Sequence, residues 1–272
     1  AAAACGAGET DDLAYVKACC AAQTGDDAAA RALFRKYLDD FPKGRYRTDS
    51  DLQLARLEFT AAARANEPAQ IVEAARRAAA AGTAADALRL AWAYEKAGRA
   101  DEADAEYARI VRAHPQADEA AQALQARAMA AARAGDWAKA ELLLAESLAT
   151  GRLGERKASA LYWRGVAAMR LGHEAEAAGF LAEALKLGLG LDESREARLM
   201  LAEHDLKGGR TDAAKAAYAQ LVREGACTRM SAARIHAVGE LLGGEEAAIC
   251  AKALVAEKTP DWRQAGWAMQ GR

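Results

Sequence analysis

The chain has 272 residues, of which 52% are apolar and 28% are charged, and its formal net charge is −2. This near-neutral charge disfavours nucleic acid as the main ligand, because such binding needs a concentrated positive surface that displaces condensed counterions. No apolar run approaches the ~20 residues that a membrane-spanning helix needs. No transmembrane segment is therefore predicted.

Residues 1–10 are predicted to form a flexible N-terminal segment. It begins with four alanines before Cys5, without a methionine or a charged stretch. Three interpretations stay open: trimming by signal peptidase after small residues, a bacterial lipoprotein that carries its lipid on Cys5, or a cytosolic chain. We expect a periplasmic or outer-membrane-associated protein, with a cytoplasmic one as the alternative.

From residue 11 onward the sequence predicts helical hairpins in a regular register. Between alanine-rich stretches of helical periodicity, four glycines stand 37 residues apart, at Gly98, Gly135, Gly172 and Gly209. Alanine is the best helix former, so local propensity agrees with the pattern. A fixed period of 20–50 residues is typical of an α-solenoid, in which stacked helix–turn–helix units share one core.

The first predicted pair of helices turns at Gly25 and ends at Pro42. A degenerate second pair covers residues 50–81, and in its turn Pro68 takes a first-turn helical position where the missing N–H costs little. The third pair, which turns at Gly98, shows the pattern most clearly. It predicts one apolar face on each of its two helices.

Three more pairs turn at the later glycines of the series, and a weaker seventh covers residues 229–257. In each pair we call the first helix A and the second helix B; small residues on both allow them to approach closely. Residues 11–257 are thus predicted to form one solenoid of about seven pairs. Residues 258–272 are predicted to cap it through Trp262 and Trp267, with a partner-binding motif as the alternative for these tryptophans.

These pairs resemble the tetratricopeptide repeat (TPR) family. The resemblance rests on a small residue and a tyrosine in helix A, a glycine turn, and an alanine, an aromatic and a closing proline in helix B: Ala91, Tyr94, Gly98, Ala103, Tyr107 and Pro115. The family period is shorter by about one helical turn. Residues 33–42 also look like repeats of bacterial envelope TPR proteins, including a lipoprotein of outer-membrane assembly and the periplasmic partner of the Tol system.

The resemblance implies an all-α, right-handed solenoid that serves as a non-catalytic scaffold for proteins or peptides. In this family helix A lines the concave groove, so partner-binding side chains are expected on that face. They are Arg56, Trp92, Gln125, Met129, Tyr162, Val166, Met169, Leu199 and Glu203. Packing against neighbouring repeats is the alternative for some of them, including Trp92 and Tyr162.

A basic residue stands one or two places before the turn in five successive pairs. These residues are Arg64, Lys96, Arg133, Arg170 and Lys207. One hypothesis is a basic rim that binds an acidic or carboxylate-bearing partner. The other is that cations stabilise helix C-termini by ~0.3–1 kcal/mol each.

No catalytic, cofactor-binding or metal-ligating residue is predicted, and no small-molecule substrate is expected. The five cysteines contain no C-x-x-C motif, and no two of the four histidines have the i, i+4 spacing of a helical zinc site. Disulfides between Cys5 and Cys19 or Cys20, or between Cys227 and Cys250, are one hypothesis. Burial of these cysteines as small apolar side chains is the other.

Three functions stay open at this point. The first is a scaffold that holds a protein partner in the concave groove. The second is a structural subunit of a large envelope or secretion assembly, whose contacts run through the edges of the solenoid. The third is RNA binding by helical repeats, which read one base per unit, although the net charge disfavours it.

Overall fold

The computed structural model describes residues 10–256, and in this range the protein consists of α-helices and short turns without a β-strand. Cys5 and the predicted cap residues Trp262 and Trp267 lie outside the described residues. None of the described helices combines the length and the apolar character that a membrane span requires.

The helices follow one another with few intervening residues. Their bounds are α1 Asp11–Gln23, α2 Asp27–Asp40, α3 Arg47–Ala65, α4 Pro68–Ala81, α5 Ala84–Lys96, α6 Ala100–Ala113, α7 Asp118–Arg133, α8 Trp137–Ala149, α9 Lys157–Arg170, α10 Glu174–Leu187, α11 Leu191–Lys207, α12 Thr211–Arg223, α13 Ala232–Leu242 and α14 Gly244–Val255. Short 3-10 turns precede α9 (Gly154–Arg156) and α13 (Ala226–Arg229).

The chain divides into two compact units between Arg127 and Ala128, within α7. In the first unit α1 packs on α2, α3 on α4 and α5 on α6, and successive pairs meet through α2 with α3 and through α4 with α5. In the second unit the same holds for α9 with α10, α11 with α12 and α13 with α14. The all-α helical-repeat prediction is confirmed.

The predicted turns adopt the left-handed backbone conformation that glycine favours. Gly98 has φ +72° and Gly172 has φ +84°. The residue after each turn glycine donates its N–H back into the last turn of helix A, as Arg99 does to the carbonyl of Tyr94. In the degenerate second pair Asn66 takes this position with φ 55°, because asparagine tolerates it better than other non-glycine residues.

Small residues set the distance between helices. A Cβ atom on Gly165 of α9 would lie 2.7 Å from the Cγ atom of Leu181 on α10. Ala177 and Ala184 of α10 are fully buried. Helix A and helix B therefore approach closely where the sequence predicts small residues.

Candidate partner-binding surface

In the second unit, helices α9, α11 and α13 border an open cleft of about 350 Å³. These are the A helices of three successive pairs. The cleft has an apolar part made of Val166, Met169, Leu199 and Met200. Around it stand the polar residues Arg170, Glu174, Glu196, Glu203, His204, Lys207 and Arg234.

The charges at this cleft pair with each other. The Nζ atom of Lys207 lies 2.7 Å from a carboxylate oxygen of Glu174, and this bond lowers the pKa of Glu174. The guanidinium of Arg234 lies 2.5 Å from the carboxylate of Glu203. The Nδ1 atom of His204 lies 3.9 Å from Glu174. The cleft therefore presents an apolar surface among largely neutralised side chains.

The apolar surface continues beyond this cleft. A neighbouring cavity of about 210 Å³ is also lined by Glu196, Leu199 and Arg234. It adds Leu221 of α12 and Met230, which follows the second 3-10 turn. The two cavities share these three lining residues of α11 and α13, whereas Leu221 and Met230 are themselves buried.

Four of the predicted groove residues line the cleft, namely Val166, Met169, Leu199 and Glu203, although Val166 itself is buried, with 6% of the residue accessible. Their role in binding stays a prediction. The expectation that the ring of Tyr162 is exposed in the groove is wrong, because only 2% of the residue is accessible. Burial raises the pKa of Tyr162, and its hydrogen bond with Glu196 raises it further. Tyr162 belongs to the core beneath the cleft.

In the first unit Arg56 is engaged in an internal ion pair. Its guanidinium forms two hydrogen bonds with the carboxylate of Asp86, at 2.9 and 2.6 Å, and Asp86 is completely buried. Arg89 binds the same carboxylate at 2.7 Å, and Thr83 donates to it through both its backbone and its side chain. Burial alone would raise the pKa of Asp86, but the bonds from Arg56 and Thr83 lower it to about 2.

That Arg56 binds a partner stays a prediction, but its guanidinium is already engaged within the chain. Its planar guanidinium suits bidentate binding of a carboxylate, and here that carboxylate belongs to the next A helix of the same chain. Arg56 therefore joins α3 to α5.

The remaining predicted groove residues are half-buried. The ring of Trp92 meets that of Phe59 edge to face with centroids 5.7 Å apart, and the Nζ atom of Lys96 stands 5.3 Å from the Trp92 centroid. Gln125 and Met129 both lie on α7. Trp92 thus contributes to packing between repeats while part of its surface stays accessible.

The basic residues at the ends of the A helices contact the chain itself. Three of them reach the first residue of the preceding B helix: Arg64 to Asp27 at 3.0 Å, Arg170 over the ring of Trp137 at 5.5 Å, and Lys207 to Glu174 at 2.7 Å. The B helix before Lys96 begins with Pro68 and not with an acidic or aromatic residue. The Nζ atom of Lys96 lies over the ring of Trp92 instead. Arg133 is exposed. These contacts favour electrostatic capping and repeat stacking over a free basic rim.

One group in the described part of the chain has the composition of a metal site, and sequence analysis missed it. The ligand atoms of Glu141, His173 and Glu176 lie within 4.8 Å of one another. Glu141 belongs to α8, so no local spacing could reveal the group. The positive N-terminal end of α10 beside His173 opposes a cation there. That the chain binds no metal stays a prediction.

The sequence matches a family model described as tetratricopeptide repeat over residues 13–44 and 87–117. These segments contain the two pairs in which the resemblance is strongest. A search of curated protein sequences found no significant match.

Solved structures share the fold over most of the chain. The C-terminal part of a TPR-containing protein of Cytophaga hutchinsonii superposes with a TM-score of 0.63 at 14% identity, over 92% of this chain and 98% of that part. A TPR protein of Parabacteroides merdae superposes with a TM-score of 0.54 at 13% identity, over 97% of this chain and 100% of its own. PilF of Pseudomonas aeruginosa superposes with a TM-score of 0.51 at 15% identity, over 82% of this chain and 88% of its own. The fold is that of TPR solenoids, and two segments of the chain match the family model.

Proposed function

We propose that the chain is a non-catalytic scaffold that holds a short segment of a partner protein in the cleft of α9, α11 and α13. The observation that carries this proposal is an apolar surface that the fold leaves open beside internally paired charges. The TPR fold supports an interaction role. Partner-binding surfaces place apolar anchors at the centre and polar groups around them.

The cleft favours a segment with apolar side chains over a strongly acidic one. Lys207 and Arg234 are already bound to Glu174 and Glu203, so an acidic partner would have to displace two ion pairs. Met169 and Met200 are flexible and polarizable, which suits them to side chains of varied shape. A volume of about 350 Å³ is at the low end of ligand pockets and accommodates a few side chains.

The alternative is contact through the edges of the repeats. It is favoured by Leu187 and Leu191, which flank the connection between α10 and α11 and are 51% and 63% exposed. RNA binding is disfavoured by the balanced charges of the cleft. A submicromolar affinity for RNA that falls steeply with salt would support it instead.

A photocrosslinking amino acid in the full chain separates these functions in the native host. It is placed at Met169 in the cleft, at Leu191 on the edge, or at Leu142, which is 68% exposed on the B helix α8. We expect a protein adduct from Met169 and none from the other two positions. Adducts from Leu191 alone would support the edge function and contradict the cleft.

Binding of the crosslinked segment as a synthetic peptide then tests its chemistry. Met169→Lys places a charge without a partner among apolar groups, so we expect the dissociation constant to rise at least tenfold, about 1.4 kcal/mol. Leu142→Lys is the matched control and should leave the affinity unchanged. Equal effects of both variants would contradict the proposed site.

We also propose that the scaffold acts in the bacterial envelope. The likeness of residues 33–42 to envelope TPR repeats supports this location. Fractionation of the native host with an antibody against the chain tests it. Recovery with the cytoplasmic fraction would contradict it and leave the cleft proposal intact.

A further inference from the structure

Two cysteines that are distant in sequence meet in the core of the second unit. Cys227 lies in the 3-10 turn after α12, and Cys250 lies in α14. They are 4% and 0% exposed and belong to the same apolar cluster as Leu254 and Met230. The turn that holds Cys227 packs against α14, both cysteines are free thiols in this structure, and their side chains lie within hydrogen-bonding reach of each other. The two sulfur atoms are therefore direct neighbours.

This contact goes beyond burial of two small apolar side chains. Disulfide formation requires that the two Cβ atoms face each other, with the sulfurs about 2.05 Å apart once bonded. Two thiols that already lie side by side meet the first requirement for such a bond, which is proximity. The hydrogen bond also lowers the pKa of Cys227 against the effect of burial, and it raises that of Cys250.

We propose that Cys227 and Cys250 form an intramolecular disulfide, with a low-molecular-weight disulfide such as glutathione disulfide as the oxidant. This modification site is independent of the proposed function.

The exchange proceeds in two balanced steps. The Cys227 thiolate attacks one sulfur of glutathione disulfide, which releases one glutathione thiolate and leaves Cys227 as a mixed disulfide. The Cys250 thiolate then attacks the Cys227 sulfur and releases the second glutathione. The two cysteines lose two electrons and two protons in total, and two molecules of reduced glutathione receive them.

Burial determines when this chemistry takes place. Because neither thiol is accessible in the folded chain, the oxidant reaches them during folding or when α13 and α14 open locally. Once formed, the bond closes the loop from residue 227 to residue 250, which contains all of α13. A closed loop restricts the opened state, so the bond slows opening of this helix pair.

Peptide mapping of the wild-type chain tests the bond without any variant. The full chain is equilibrated in glutathione buffers of fixed oxidised-to-reduced ratio, quenched with acid, alkylated in denaturant and cleaved with trypsin. We expect the peptides of residues 224–229 and 235–252 to be joined under oxidising ratios and separate after reduction. Two alkylated peptides at every ratio, two glutathione adducts, or pairing with Cys19 or Cys20 would overturn the proposal.

Two further measurements make the test specific. A Cys19→Ser, Cys20→Ser double variant should keep the linked peptide unchanged. In the oxidised wild type, amide hydrogen exchange in α13 and α14 should slow at least about tenfold relative to the reduced form, while α1 and α2 exchange at the same rate in both. Equal exchange in α13 and α14 before and after oxidation would contradict the structural role of the bond.

Discussion

The two units use the faces of their A helices differently. In the first unit, Arg56 of α3 and the buried Asp86 of α5 tie successive A helices together. In the second unit, Met169 and Leu199 line an open cleft between α9 and α11. The same repeat geometry therefore produces an internal ion pair in one place and an accessible surface in the other.

The two units contrast at the third residue of their A helices. The third residue of α5 is Asp86, which reaches the arginine of the preceding A helix and also closes a capping box with Thr83. The third residues of α9, α11 and α13 are Ser159, Glu193 and Arg234, and none of them is buried. In the second unit Glu203 of α11 and Arg234 of α13 also pair, but both side chains are partly exposed at the border of the cleft, and the apolar surface between α9 and α11 stays open beside them.

Removal of the buried carboxylate should have the largest effect. Asp86→Ala leaves the guanidinium of Arg56 without its partner and removes the capping box. Because Arg56 is partly exposed, we expect the low end of the usual range, about 3 kcal/mol of lost stability. Urea unfolding measures it. Glu102→Gln, which removes an exposed partner of Arg99, should leave the midpoint unchanged; an equal loss there would refute the special role of Asp86.

Acid should remove the stabilisation that the ionised carboxylate of Asp86 provides. The pKa of Asp86 falls from 3.8 to about 2 on folding, so the unfolded chain binds more protons between these values. The contribution is complete above pH ~5 and declines as the pH falls towards 2, by about 2 kcal/mol in total. Carboxyl NMR titration gives the pKa directly. A pKa near 4 in the folded chain would contradict this prediction.

The close approach of helices in the second unit is tested by a pair of glycine variants. Gly165→Ala brings a Cβ atom 2.7 Å from Cγ of Leu181, which is fully buried. Overpacking costs ~1–3 kcal/mol, and better helix propensity offsets part of it. We expect a net loss of about 1–2 kcal/mol in thermal or urea unfolding.

Gly179→Ala is the matched control on α10, where a Cβ atom would meet nothing within 4 Å. Helix propensity alone should then stabilise the chain, by up to about 1 kcal/mol. The opposite signs of the two variants distinguish packing from propensity. A gain from Gly165→Ala would mean that α9 and α10 have room to separate.

The basic rim should give the smallest effects. Arg64→Ala removes an exposed ion pair with Asp27, so we expect a loss of ~0–1 kcal/mol that vanishes at high salt. Urea unfolding at low and high ionic strength measures it. A salt-independent loss would indicate that the arginine stem, rather than its charge, joins α3 to α2.

Much of the fold could be predicted because it is local. Each glycine turn needs a positive φ, and the alanine-rich stretches on either side favour helix whatever their surroundings. Small residues on both helices of a pair then predict that the two helices pack closely. The second pair, which has Asn66 in place of the turn glycine, could be predicted because the regular pairs on either side fix where its turn must lie.

The candidate surface was only partly predictable, because exposure depends on neighbours that are distant in sequence. Met169 and Glu203 line the cleft, but Tyr162 on the same helix as Met169 is in the core. Arg56 was expected to face a partner, yet its own partner stands 30 residues away at Asp86.

The amino-acid sequence by itself determined the helices, their turns and the order of the pairs, since these depend on backbone conformation and on the period of small and apolar residues. The tertiary structure alone decided which charges are satisfied internally, which cysteines meet and where an apolar surface stays open. The reason is that burial and pairing are properties of side chains brought together from different repeats, and a linear pattern contains no distances between them.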